Sequence, residues 1–193
     1  MVGEYRNQTQ LANVTGFEVK GTAALPNPVV VTLPVADMAV WERYEGMRVE
    51  VRPASGQLVV TDTQTLGRYG TVTLSVGQPQ VQFTEANAPS ISGFDAFTQA
   101  TQRGQIIVYD GLSTQNPPAV YGRNGQPLSA SNTLRAGDAV LSVVGVLDQF
   151  FDTAAAAHET SYRVQPTVAP SFNGPERPTA ADFKAAVGAA SLK

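Results

Sequence analysis

Nine side chains in this chain are of the types that hold nucleic acid without cutting it: Arg43, Tyr44, Arg68, Tyr69, Tyr109, Tyr121, Arg123, Phe151 and Arg163. An aromatic ring offers a face on which any base can stack, at about 1–3 kcal/mol per base, while a nearby guanidinium meets the phosphate. Arg43-Tyr44 and Arg68-Tyr69 set the two types side by side. The competing reading is structural: aromatics beside strands mostly pack, and Tyr44, Tyr69 and Phe151 lie in stretches that could simply define a barrel.

Chemistry that breaks bonds is harder to find. The single His, His158, follows the alanine run 154–157 in a polar stretch and reads as a loop residue rather than a base or ligand. No Ser/His/acid arrangement or phosphate loop is visible, and Gly67-Arg68-Tyr69-Gly70 is short enough to be a turn. Asp62, Asp110, Asp138, Asp148 and Asp152 fall at loop ends, where oxygens could gather around a hard cation such as calcium. Their spacing is not that of an EF-hand, and Asp favours turns for local reasons. No metal ligand and no catalytic residue is assigned, and no cofactor is expected in this chain. The absence of Cys excludes disulfides, thiolate-bound zinc and thiol catalysis.

The elements that must position these residues read as strands. Hydrophobic residues make up 42% of the 193, enough for a core, while only 15% are charged, so the surface is largely neutral and polar. Seventeen Gly and thirteen Pro favour short strands and turns over long helices. A net charge of −3 argues against a strongly basic nucleic-acid binder but leaves room for a local Arg-lined groove. No stretch approaches the roughly 18 apolar residues of a membrane-spanning helix, and Met1-Val2-Gly3-Glu4-Tyr5 lacks a signal-peptide layout.

Val29-Val30-Val31-Thr32-Leu33 is a β-branched run, and Asp37 is placed to cap a short helix through Tyr44, closed by Gly46. Met47-Arg48-Val49-Glu50-Val51-Arg52 alternates strictly, and with Leu58-Val59-Val60-Thr61 across the turn Pro53-Ala54-Ser55-Gly56 it predicts a hairpin. Residues 69–76 alternate again, and Val81-Gln82-Phe83 predicts a short continuation. Residues 84–104 read as a long loop. Gln105-Ile106-Ile107-Val108-Tyr109 predicts a strand, residues 112–134 a second long connection, and the apolar run 139–148 a central strand. Ser161-Tyr162-Arg163-Val164-Gln165-Pro166 is the last strand. The tail from Val168, with Pro170, Pro175 and Pro178 and a weak helix at 180–187, reads as a linker. The fold expected is mainly β: a small OB-like barrel with long loops and one or two short helices.

Several motifs carry a family resemblance. Leu33-Pro34 followed by Trp41-Glu42-Arg43-Tyr44-Glu45-Gly46-Met47-Arg48-Val49, then Val60-Thr61-Asp62 with Leu66-Gly67-Arg68-Tyr69-Gly70, resemble the OB-like module of ExeM/NucH-type (YhcR-like) bacterial extracellular nucleases. Leu134-Arg135-Ala136-Gly137-Asp138, Gly145-Val146-Leu147-Asp148 and Tyr162-Arg163-Val164-Gln165-Pro166-Thr167 extend the match over roughly residues 25–178. In Ile106-Ile107-Val108-Tyr109-Asp110-Gly111, Tyr109 stands where that family has the first of two acids, so a metal role for the pair does not carry over. The resemblance implies a division into residues 1–24 (the end of an upstream region), 25–167 (the OB-like domain) and 168–193 (a linker toward an endonuclease/exonuclease/phosphatase domain). It further implies a non-catalytic module of a secreted or cell-surface nuclease. Its partners would be DNA or RNA, bound weakly, with single strands one form of the ligand, and the catalytic domain in cis. The divalent metal, Mg or Ca, would belong to the parent enzyme. The alternative is a structural spacer that packs on the catalytic domain and has no ligand.

Overall fold

The computed structural model describes residues 1–5, 8–112, 114–118, 120–151 and 160–174. Its main body is one curled β-sheet of eight strands: β3 (Val29–Leu33), β4 (Arg48–Pro53), β5 (Leu58–Asp62), β6 (Val72–Val76), β7 (Gln105–Val108), β8 (Ala139–Val140), β9 (Val143–Phe151) and β10 (Thr160–Pro166). The spatial order is β3-β4-β9-β10-β7-β6-β5-β8. A separate hairpin, β1 (Val2–Tyr5) with β2 (Gln8–Leu11), precedes it, and Val2 and Leu11, paired across it, are each 70% exposed.

The alternation of Met47 to Arg52 does produce a strand, with Val49 and Val51 buried and Arg48, Glu50 and Arg52 on the other face. The hairpin expected with Leu58 to Thr61 does not form. β4 pairs in parallel with β3 and antiparallel with β9, whereas β5 pairs with β6 and β8. Alternation fixes which face of a strand is buried, but pairing depends on residues far away in sequence. In a flat sheet β4 and β5 would stand five strand spacings apart, about 24 Å. The four residues 54–57 joining them reach at most roughly 17 Å. The sheet therefore has to curl, and one nearly continuous run from Arg48 to Asp62 serves both of its ends.

The curl encloses the core. Val49, Val51, Leu58, Val60, Leu74, Ile106, Val108, Leu147 and Val164 point inward, and Trp41 and Phe172 plug the space between them. Trp41 comes from a 3₁₀ helix, Met38–Tyr44, which begins where Asp37 accepts a hydrogen bond from the Ala39 amide at 2.9 Å. Phe172 is fully buried, so residues that read as the start of a linker contribute to the core. Around it, Arg123 and Ala139 bridge to Phe172 and Asn173.

Residues 84–104 are not a loop. They hold most of α2 (Phe83–Ala86) and all of α3 (Ile91–Arg103), and Phe83 begins a helix instead of continuing a strand. The Ser90 hydroxyl caps α3 by accepting from the Gly93 amide at 3.1 Å. The Phe83 ring meets Phe94 and Phe97 of α3 at centroid distances of 5.9 and 5.6 Å, yet no residue of α3 is buried. Among the described residues no helix is long and apolar enough to cross a membrane.

Candidate nucleic-acid interface

The turn between β5 and β6 presents the most accessible aromatic–cation pair of the nine candidates. Asp62 starts the turn by accepting from the Gln64 amide at 2.7 Å, and the Thr65 and Thr71 hydroxyls meet at 2.5 Å across its base. Between them lies a single helical turn, α1 (Leu66–Tyr69), whose Leu66 is anchored in the core. With Leu66 turned inward, Arg68 and Tyr69 face solvent. Gly70 ends the turn at φ +64°, and a β-carbon there would overlap the Asp110 carboxylate. The Tyr69 ring is 39% exposed, with the Arg68 guanidinium 5.2 Å from its centroid. Gln115 Oε1 accepts from Arg68 Nε and Nη2 at 3.3 and 3.2 Å, and the Asn116 amide donates to the Arg68 carbonyl at 2.8 Å.

Tyr109 and Arg163 also come together, but in a closed arrangement. The register Thr73–Ile107, Ile107–Arg163 and Arg163–Asp148 runs across four strands and puts Arg163 beside Asp148 on the outer sheet face. Arg163 donates from Nε and Nη2 to Asp148 Oδ2 at 2.9 and 2.7 Å, and the Tyr109 hydroxyl donates to the same oxygen at 3.1 Å. The guanidinium lies 3.7 Å from the Tyr109 ring centroid, and the ring is only 8% exposed. Burial pushes the Tyr109 phenol up to about 12, with Asp148 adding to the rise and Arg163 opposing it. This group braces β7, β9 and β10.

The other candidates scatter. Arg43 is exposed in the last turn of the 3₁₀ helix, and Tyr44 is half-buried against the core. Arg123 is ion-paired with Asp138, which is 1% exposed and also accepts from the Arg135 amide at 3.0 Å. Tyr121 is half-buried, and burial together with the charge of Asp110 raises its phenol. Phe151 ends β9 with its backbone opposite Thr160. His158, Asp152 and the helix expected at 180–187 lie outside the described residues.

A cleft of about 480 Å³ opens between the 3₁₀ helix and the outer sheet face, lined by Glu42, Glu45, Tyr109, Asp148 and Gln165 among others. Carboxylates on that side disfavour a phosphate there. Four of the five aspartates considered for calcium have partners: Asp62 and Asp110 close turns, and Asp138 and Asp148 hold arginines. Among the described residues no three acidic or His side chains are grouped as a metal site would require. Sequence reasoning missed Gln115, because nothing local shows that it meets Arg68 from 47 residues away. Compared with protein-family models, with curated proteins and with solved structures, the chain finds no match.

Proposed function

We propose that this chain is a non-catalytic, OB-type module that holds single-stranded nucleic acid for a secreted nuclease whose divalent metal and active site lie in another domain. The observation that carries the reading is the exposed Arg68–Tyr69 pair on the turn between β5 and β6. Counting β4 and β5 as one bent strand, the strands β4/β5, β6, β7, β9 and β10 number five, and the turn then joins the first to the second. OB barrels bind oligonucleotides with that loop and with the adjoining sheet face. The resemblance of the Leu66-Gly67-Arg68-Tyr69-Gly70 motif to the nuclease module supports the same assignment. One base on Tyr69 and one phosphate on Arg68 make a weak, salt-sensitive grip, in keeping with a net charge of −3.

The spacer reading is favoured by a different observation. Ile91 and Phe94 on α3 are 86% and 52% exposed, an apolar face of the kind that packs on a neighbouring domain.

Fluorescence anisotropy with labelled single- and double-stranded DNA separates the two. The interface reading expects single strands to bind at low salt and to weaken as salt rises. Tyr69→Ala should lose roughly five- to a hundredfold in affinity, the equivalent of one stacked base. Absence of binding at low salt, or binding unchanged in both Arg68→Ala and Tyr69→Ala, would leave the spacer reading standing.

A further inference from the structure

We infer that Gln115 is a positioning residue of this interface: it holds the Arg68 guanidinium over one face of the Tyr69 ring, so that one nucleotide is met as a unit, base on the ring's other face and phosphate on Arg68. The inference rests on the nucleic-acid reading above. An exposed arginine on a single-turn helix samples many rotamers, and a ligand that needs one of them must overcome the lost freedom. Here that freedom is restricted before any ligand arrives. Of the five N–H donors of a guanidinium, the Gln115 carbonyl engages one on Nε and one on Nη2. The backbone next to Gln115 is tied to the same turn, because the Asn116 amide donates to the Arg68 carbonyl at 2.8 Å. The site is thus built from two segments, the α1 turn and the loop after β7. Gln115 is suited to this work because its amide oxygen orients the cation without neutralising it. A carboxylate in its place would also hold the guanidinium, but would compete with a phosphate for it.

That difference gives a test that a purely structural role would not answer. Gln115 is exposed, so Gln115→Glu and Gln115→Ala should unfold at the wild-type denaturant midpoint. Affinity for a single-stranded oligothymidylate is then measured over a salt series for wild type, Arg68→Ala and both Gln115 variants. Each phosphate contact on a single strand contributes about −0.7 to the slope of log affinity against log salt. Gln115→Glu is expected to lose about that much slope, matching Arg68→Ala, whereas Gln115→Ala keeps the slope and loses affinity by a few-fold. If Arg68→Ala reduces the slope and both Gln115 variants behave as wild type, the positioning role is overturned and the interface stands. If wild type does not bind at all, interface and positioning role fall together.

Discussion

Arg163 and Asp148 are each ambiguous in isolation, one a phosphate contact and the other a cation ligand, until the β9–β10 register makes them neighbours joined in an ion pair. The same pairing decides what Tyr109 does. Its folded pKa of about 12 lies above the ordinary value of 10.0 because burial disfavours the phenolate. A raised pKa means the folded state keeps its proton longer, so this stabilisation is complete below pH 10 and is lost as pH climbs toward 12. At about 1.4 kcal/mol per unit, the loss approaches roughly 3 kcal/mol. Denaturant unfolding at about pH 8 and about pH 11 should show wild type losing more stability than Tyr109→Phe. Parallel losses in the two proteins would mean the phenol is not held in its neutral form by the fold. The sequence shows Tyr109 and Asp148 at the ends of expected strands and Arg163 inside another. It does not show that they meet, because β7 and β10 pair in parallel across more than 50 residues.

Elements were legible where their signal is local. Val29 to Leu33 is β-branched throughout and forms β3 within the expected bounds, and Asp37 caps a helix as its position predicts. α3 was not legible: Gly93, Thr98 and Thr101 are weak helix formers, and a helix with no buried residue lacks a strong apolar stripe. Its one clear signal is Ser90 ahead of the spacing Ile91, Phe94, Phe97. The α1 turn depends on Gly70 for two reasons, a left-handed φ and the Asp110 carboxylate packed against it. Gly70→Ala is expected to cost about 2–3 kcal/mol, combining left-handed strain with displacement of Asp110. Chemical denaturation would measure it, and an unchanged midpoint would show that the turn relaxes freely.

For the molecule as a whole, the decisive constraint is the short corner 54–57, which turns an eight-stranded sheet back on itself and creates an interior to fill. Composition announces a mainly β chain, and alternation selects the residues that point inward. Neither reveals that the two halves of the Arg48–Asp62 run join opposite ends of the sheet, since that follows from long-range pairing. The core also reaches further along the chain than the last strand. Phe172, six residues beyond β10, fills it completely buried, so Phe172→Ala should cost about 3–5 kcal/mol in denaturant unfolding. A cost below about 1 kcal/mol would place residues 168–174 outside the cooperative unit.

The proposed role puts single-stranded nucleic acid on one surface of this fold, the α1 turn with the loop after β7. The most direct measurement is to record backbone amide shifts by NMR while a short oligothymidylate is added at low salt. That role predicts shifts concentrated at residues 65–71 and 114–116, little change around Glu42, Glu45 and Asp148, and loss of the pattern in Tyr69→Ala. Shifts confined to the acidic cleft or to α3, or none at all, would contradict it.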